Sequence, residues 1–567
     1  MKKRWVVREL PEETLIKTLS VELNINPSLA SLLAQRGIRT FQGAKKFFRP
    51  KLDHLHDPFL MQDMSVAVNR LCEAVSNHEN ILIYGDYDVD GTTSVALVYG
   101  FLKKFTDHIQ YYIPDRYKEG YGISKKGIEW AAANNINLII TLDCGIKALD
   151  KADLAREFGM DMIICDHHTP GEKLPDALAV LDPKREDCKY PFKELSGCGV
   201  GFKLLQAFCQ QNTVPEKQLF NFLDLVAVSI ASDIVPIVGE NRVLAHYGLR
   251  KLNHSPSPGL KSLIEISGLK GTISISDVVF YLGPRINAAG RLTHAKESVR
   301  LLISENEKDL VKFSNHINQT NSDRRDFDTS ITDEALEMIA GDEQLTKAKS
   351  TVLFKNNWHK GVIGIVASRC TEHYYRPTII LTESNEKATG SARSVDGFDI
   401  YSAIQKCSDL LEQFGGHTHA AGLTLSLDNI EAFTKKFEEV VSASISEQHL
   451  VPKLEIDLEV PLSFATFKSL SIIQQMGPFG PQNMQPVFLT KGVVIKEDPY
   501  IIKDQHVKMQ VSQEGDQRMY DCIGFGLADK AENLKPGVPF SIAYNIEENN
   551  YMGNRTLQLR LKDLKIN

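Results

Sequence analysis

The sequence predicts an α/β protein: a parallel sheet covered by helices, a second α/β unit reached through a long helix, and an all-β tail. Three observations carry that prediction. Short β-branched runs alternate with helical stretches from about residue 80 to 235, a polar helical segment fills 299–345, and short alternating runs broken by turn residues fill 455–567.

In the first region ENILIYG (79–85), INLIITL (136–142) and MDMIICD (160–166) have the length and β-branched content of strands. Between them SVALVYGFLKKF (94–105) and KKGIEWAAAN (125–134) place apolar residues at helical spacing. Such alternation gives a parallel sheet with helices on both faces, and ligands gather beyond the carboxyl ends of its strands. The segment KDLVKFSNHINQTNSDRRDFDTSITDEALEMI reads as a helical connector. A second α/β unit follows, with strands near STVLFK (350–355) and PTIILTE (377–383), the glycine-rich run FGGHTHAAGLTLSL (414–427) and a helix around 429–446. The runs VFLTKGVVIKE, HVKMQVSQ, YDCIGFG and TLQLRLKDLKI then read as strands of a barrel or sandwich. The expected boundaries are a helical, basic leader at 1–65, a first α/β domain at 66–298, a connector at 299–345, a second α/β domain at 346–448 and a β domain at 449–567.

A chain of 567 residues suits three or four domains, and 24% charged with 43% hydrophobic positions excludes wholesale disorder and collagen-like classes. Nine cysteines form no CxxC pair, which argues against a disulfide framework or zinc ribbon and for a reducing, cytoplasmic location. No apolar run reaches the roughly 18 residues of a membrane span, and MKKRW leads into charged residues rather than a signal-peptide core. The net charge of −7 argues, by itself, against a nucleic-acid partner. The charge is uneven, however: residues 1–50 hold ten Lys or Arg against four Asp or Glu. That basic leader suits a polyanion-contacting arm or an ordinary solvated helical face.

The densest chemical signal is GDYDVDG, residues 85–91, directly after the first strand. In an extended segment residues two apart point the same way, so Asp86, Asp88 and Asp90 would converge on one side. Carboxylates packed so closely raise one another's pKa and call for cations. An exposed acidic turn is the alternative. An EF-hand is excluded, because a strand precedes the motif and Leu97 stands where the loop needs glutamate. Asp143 follows the second strand, Asp166, His167 and His168 follow the third, and Asp233 follows the apolar helix DLVAVSIAS. Mixed carboxylate and imidazole donors suit Mn²⁺ or Mg²⁺, with zinc and iron open on ligand type alone. Such a cluster can hold two divalent ions, an arrangement typical of phosphoester hydrolysis. No Ser/His/Asp elbow or P-loop competes, since GYGIS (120–124) and GSARS (390–394) lack the P-loop lysine pattern.

In order and spacing, GDYDVDG, Asp143, the Asp-His-His triplet and Asp233 resemble the four motifs of the DHH phosphoesterase superfamily, and GGHTHAAG resembles the signature of the DHH-associated domain. FFRPKLDHLHDPFLMQDM (47–64), IPDRYKEGYG (113–122), GPRINAAGRL (283–292), WHKGVIGIVASR (358–369) and GPFGPQN (477–483) narrow the resemblance, across the whole chain, to the RecJ family of single-stranded-DNA-specific exonucleases. Around Asn483 the family pattern has a second glycine and a proline, where this chain has Pro481, Gln482 and Met484.

The resemblance implies a parallel-sheet DHH domain, a DHH-associated domain joined by a long helix, and an OB-like barrel. It implies a 5′→3′ exonuclease of DNA repair and recombination that uses two Mn²⁺ or Mg²⁺ ions. Asp86, Asp88, Asp90, Asp143, His167, His168 and Asp233 become the metal candidates. Asp143 would bridge, Asp86 would orient neighbours, and His168 would contact the scissile phosphate. No side-chain nucleophile is expected. A 5′-phosphate would be gripped by Arg116, Ser391 and Arg393, since a terminal phosphate favours a bidentate guanidinium. Arg285, Asn287, Arg291 and His359 would add strand contacts, and Gly415, Gly416 and His417 would let backbone approach phosphate. An OB-like tail binds single strands through cations and stacked aromatics, for which Tyr500, Lys503, His506 and Lys508 are candidates. Residues 451–567 hold 13 basic against 14 acidic residues, so any positive groove there must be local. Single-stranded DNA, a helicase and a single-strand-binding protein are the implied partners of a monomer. The rival readings are a phosphodiesterase of cyclic dinucleotides or short oligonucleotides, a pyrophosphatase, or a non-catalytic scaffold.

Overall fold

The computed structural model describes residues 2–551 and 553–566. It divides into two compact units, one of residues 2–8 with 322–459, the other of 9–321 with 460–566.

The larger unit is built on a five-stranded parallel sheet, in the order Ile109–Tyr112, Ile81–Gly85, Leu138–Leu142, Asp161–Cys165, Ala179–Leu181. Its three middle strands are those read from the sequence. They are buried on both faces, as β-branched runs in a parallel sheet must be. Ile81, Ile83, Ile140 and Ile163 pack under the helices Val89–Leu102, Gly197–Gln211 and Leu223–Ser232. Leu82, Tyr84, Ile139 and Ile164 point the other way, toward the helices Lys125–Ala133 and Leu149–Glu157. The two outer strands escape a reading of the sequence because one is half-exposed IQYY and the other only three residues long.

The expectation for residues 1–65 is a helical, basic leader. Helices Glu13–Leu23, Pro27–Gln35 and Phe41–Phe48 are present, but a strand precedes them. Arg4–Val7 pairs in parallel with Lys453–Ile456, and Arg8 extends the contact through ion pairs to Glu455 and Asp457 at 2.8 and 3.4 Å. The segment expected as a connector contains the 34-residue helix Glu307–Ala340, flanked by Lys296–Ile303 and Glu343–Lys347. The division between units falls inside that long helix.

In the smaller unit a mixed sheet runs Gln413–His417, Ala420–Ser426, Lys387–Arg393, Thr378–Ser384, Thr351–Phe354. Only its last pair is parallel. Helix Ile430–Ser444 covers one face through Phe433, Phe437 and Val441, and helix Ile363–Tyr374 covers the other through Val366 and Ala367.

The tail sheet of the larger unit is ordered Phe488–Ile495, Phe540–Tyr551, Asn554–Ile566, Asp516–Gly524, His506–Gln513, Tyr500–Ile502. Phe488–Ile495 also pairs with His506–Gln513, which closes five strands into a barrel of the OB type. The barrel is tied to the rest of its unit through the 476–484 loop. Asn483, almost fully buried, accepts from Arg36 Nε at 3.0 Å and donates to the Met476 and Pro478 carbonyls at 2.9 Å each. Arg242 donates to the Met476 carbonyl at 2.8 Å, and the Ile237 amide to that of Pro481. Gln482 holds a left-handed φ of 59°, a conformation that a glycine adopts without cost.

Under the sheet, Glu240 and Lys203 form a buried ion pair at 2.9 Å. Glu240 also accepts from the His56 amide at 2.8 Å and the Tyr190 hydroxyl at 2.6 Å. Removing one partner of such a pair leaves an uncompensated buried charge, so Glu240→Ala is expected to cost about 3–5 kcal/mol. Chemical denaturation checks this. A loss within about 0.5 kcal/mol, the range of neutral surface substitutions, would show that the network carries no stability.

Candidate metal centre

Ladder register brings the acidic residues together. Gly85 pairs with Leu142 and Leu142 with Cys165, so Asp86, Asp143 and Asp166 each stand one residue past the end of adjacent strands. Asp143 continues the ladder by donating its amide to the Cys165 carbonyl, then turns away with φ 61°.

The convergence of GDYDVDG has a different cause from the one expected. The strand ends at Gly85 and a helix begins at Val89, so the segment is a strand-to-helix turn and not an extended chain. Asp88 caps that helix by accepting from the Gly91 amide at 3.0 Å, and Asp90 lies in its first turn. The turn is tight: a Cβ on Gly91 would stand 2.4 Å from the Asp86 carbonyl oxygen.

A second helix start receives Asp90. Its carboxylate accepts from the Gly197 and Cys198 amides at 2.6 and 2.8 Å, and from the Ser229 hydroxyl at 2.7 Å. The unpaired amides of the Gly197–Gln211 helix thus hold the buried Asp90 side chain in place. Gly197 is obligatory there, since a Cβ would meet that of Asp143 at 2.6 Å. Asp233 arrives at the C-terminal cap of the apolar helix Leu223–Ser232.

His167 sits at the middle. Its Nε2 lies 3.1 Å from Asp143 Oδ1, 3.5 Å from Asp233 Oδ2 and 3.8 Å from Asp90 Oδ2. Asp143, His167 and His168 form one group of converging donors, and Asp90, His167 and Asp233 form another. Asp86 and Asp88 fall outside both groups, although they border them. Asp166 is a bracket: it accepts from the His167 amide at 2.7 Å, from the Ile146 amide at 2.9 Å, and pairs with His168 Nδ1 at 2.8 Å. The other nitrogen of His168 lies 3.2 Å from the Tyr121 hydroxyl.

The electrostatics are those of a site built for positive charge. Burial, reinforced by Asp90, Asp88 and Asp233, holds the Asp143 carboxyl well above the usual carboxylate range. Burial and then Asp88 raise Asp86, burial and then Asp90 raise Asp88, and burial with Asp90 and Asp88 pushes Asp233 up to about 8. Burial pushes His167 down, toward the neutral form that binds metals. Burial opposes the charges of Asp166 and His168, but their hydrogen bond overrides it, pulling Asp166 down to about 2 and His168 up to about 9. Both ring nitrogens of His167 and Oδ2 of Asp86 are buried without a hydrogen-bond partner. Orphaned donors among raised carboxylates fit hard divalent cations.

Around this cluster the structure places several other candidates. Arg116 lies over the Tyr87 ring at 4.8 Å. The Gly283–Leu292 helix, carrying Arg285, Asn287 and Arg291, approaches so closely that a Cβ on Gly290 would be 2.7 Å from the Tyr87 carbonyl oxygen. Arg285 donates to Asn318 and to the Tyr281 carbonyl, and the Arg291 carbonyl accepts from Tyr117. A cavity of about 290 Å³ opens beside His168, lined by Tyr121, Lys147 and Lys151 among others. Tyr121 belongs to the run IPDRYKEGYG, where nothing in the sequence sets it apart; its place as a partner of His168 depends on a contact 47 residues away.

The smaller unit gathers its own set. Arg393 donates to Ser391 Oγ at 3.0 Å, and a Cβ on Gly364 would stand 2.9 Å from both side chains. Gly364 lies in the run WHKGVIGIVASR, and the sequence by itself gives it no role. Gly415, Gly416 and His417 form an exposed strand opposite Gly422, Ala421 and Ala420. His359 stacks on Phe327 with centroids 5.3 Å apart. In the barrel, Tyr500 lies opposite Lys508 and Ile502 opposite His506, with Lys503 in the intervening turn.

Comparison with known proteins agrees with these parts. Residues 80–230 match the DHH family, N-terminal domain, 347–443 match the DHHA1 domain, and 456–563 match the RecJ OB domain. The chain is 38% identical to the single-stranded-DNA-specific exonuclease RecJ of Bacillus subtilis, covering 100% of this chain and 71% of that protein. It is 31% identical to the enzyme of the same description from Salmonella typhimurium, over 98% of this chain and 99% of that one. Among solved structures, RecJ of Thermus thermophilus in complex with Mn²⁺ superposes with a TM-score of 0.85 at 27% identity, covering 99% of this chain and 79% of that one.

The raised carboxyl pKa values fix a pH dependence. A group raised from about 3.9 unfolded contributes stability that is present below that value and lost as pH climbs through its folded value. For Asp233 that value is about 8, so the metal-free fold should lose stability as pH rises from about 4 to 8. Because metal displaces those protons, Mn²⁺ should raise the melting temperature more at pH 8 than near pH 5. Asp143→Asn should raise the metal-free melting temperature and shrink the Mn²⁺ effect. Scanning calorimetry with and without EDTA measures both; a metal-free curve indifferent to pH and to the substitution would contradict carboxylate strain.

Proposed function

The chain belongs to the RecJ family of single-stranded-DNA-specific exonucleases, and from that premise we propose that it hydrolyses phosphodiester bonds of single-stranded DNA stepwise from the 5′ end. The observation that carries the reading is the pair of three-donor groups sharing His167, whose ring nitrogens have no other partner. Asp90, Asp143, His167, His168 and Asp233 would hold two Mn²⁺ or Mg²⁺ ions, with Asp86 and Asp88 supplying charge at the rim. Bound there, the cations offset charge developing on phosphorus and acidify the attacking water.

The protein's own groups do the rest. Asp90 is fixed by three donors, so it keeps its orientation when substrate arrives. His168, charged through Asp166, presents Nε2–H to a phosphate oxygen once it releases Tyr121. In the smaller unit Arg393 and Ser391 grip the terminal 5′-phosphate, and the missing Cβ of Gly364 leaves room for their side chains; in the larger unit Arg116 is the phosphate-binding candidate. Arg285, Asn287, Arg291, His359 and the Gly415–His417 strand contact the strand further along. The closed barrel suits long strands better than dinucleotides. Among the described residues no helix is long and apolar enough to cross a membrane. The reading extends to a cytoplasmic monomer working with a helicase and a single-strand-binding protein in repair and recombination.

End-labelled single strands test this directly. With Mn²⁺ the wild type should shorten them from the 5′ end; EDTA or Asp143→Ala should abolish it. Shortening from the 3′ end, or a fully active variant, would sink the reading. Arg393→Ala should cost about tenfold or more on 5′-phosphorylated strands, the worth of a hydrogen bond to a charged group, and far less on 5′-hydroxyl strands. Equal losses on both would remove the anchor.

A further inference from the structure

The basic leader noticed in the sequence contributes to a cleft of about 780 Å³ that the metal centre does not use. Its walls are residues 48–51 at the end of the Phe41–Phe48 helix, the C-terminal half of the Gly239–His254 helix, and residues 474–478 before the barrel. All belong to the larger unit. Arg49, Lys51, His246, Arg250 and His254 line it, and no aspartate or glutamate does. Lys45 and Lys46 add charge from the last turn of the first helix. Among the described residues, neither Lys51 nor Arg250 has an ion-pair partner. The local potential acts on the nearby imidazoles: burial and then Arg242 and Arg250 lower His246, and burial and then Lys46 and Lys51 lower His54.

We propose that this cleft is a second nucleic-acid site, holding the sugar–phosphate backbone of DNA away from the metal centre. Cations gathered without counter-charge attract a polyanion. The ring of Phe48 and the exposed amides of Gln474 and Gln475 interleave with them. That mixture suits a strand, whose phosphates take the cations while bases stack and hydrogen-bond; an acidic peptide needs the charges alone. None of the residues that line the cleft is a candidate metal ligand. Arg250 lies about 16 Å down its helix from Gly239, at 1.5 Å per residue.

The inference rests on the reading of the protein as a DNA nuclease, and the test separates the two. Fluorescence anisotropy would measure binding, in EDTA, of a long single strand and of the same strand carrying a duplex segment. The double variant Lys51→Glu/Arg250→Glu should bind about tenfold more weakly, and its salt dependence on single strands should be shallower by about 1.4, at roughly 0.7 for each phosphate no longer neutralised. A loss on both probes identifies the single strand as occupant; a loss on the second alone identifies adjoining duplex. The milder Lys51→Gln/Arg250→Gln variant should move the same way, with unchanged melting temperature in both variants excluding misfolding. Unaltered affinity and salt slope on both probes would overturn the proposal. So would a poly-glutamate peptide that loses binding while DNA does not. Digestion of strands by the wild type with Mn²⁺ is scored separately: its absence defeats the nuclease reading, whereas digestion with unaltered variant binding defeats only the cleft.

Discussion

Repulsion among carboxylates at the ends of neighbouring parallel strands is the constraint on which the larger unit depends. Register places Asp86, Asp143 and Asp166 side by side, and the strand-to-helix turn adds Asp88 and Asp90. Unscreened charges a few ångströms apart in a buried site cost several kcal/mol. The fold meets this load in two ways. Asp90 and Asp166 are held by backbone amides and by Ser229 or His168. Asp86, Asp143 and Asp233 have no comparable relief and hold their protons to higher pH. This division separates the groups that position the site from those left ready for cations.

The surrounding architecture is explicable as support for that arrangement. Three helices pack on one face of the sheet, and all three deliver ligands or donors from their ends, Val89–Leu102 and Gly197–Gln211 at their starts and Leu223–Ser232 at its finish. Their apolar faces fix those ends to the strands, so the donors are set by the hydrophobic core and not by flexible loops. Gly91 and Gly197 mark where backbone and carboxylate approach too closely for any side chain.

Much of this was legible in the sequence, and the remainder was not for identifiable reasons. The three central strands announced themselves because burial on both faces demands unbroken Val, Ile and Leu runs. Ile109–Tyr112 and Ala179–Leu181 lacked such runs, being at or near the sheet's edge. The metal candidates were readable because motif spacing survives in one dimension. An extended chain, however, is not what brings Asp86, Asp88 and Asp90 together, since a helix starts within the motif. Tyr121 and Gly364 owe their places to contacts distant in sequence. The net charge of −7 misled for the same reason: it sums over a chain in which carboxylates cluster at a buried centre while cations line a separate cleft.

The strand Arg4–Val7 has a consequence for how the protein is made. Its partner, Lys453–Ile456, is distant in the chain, and the adjoining ion pair of Arg8 and Glu455 spans 447 positions. At about 5–20 residues per second the ribosome needs roughly 20–90 s to supply that partner. Throughout that interval the strand's peptide groups are unmatched, while the catalytic sheet, whose five strands lie within residues 81–181, is already complete. Translation therefore finishes the acidic centre first and leaves the smaller unit open until its last strand emerges. A nascent chain that stalls near residue 440 would carry a finished cluster and, at Arg4–Val7, a lone strand with unmatched peptide groups, the kind of segment that chaperones attend.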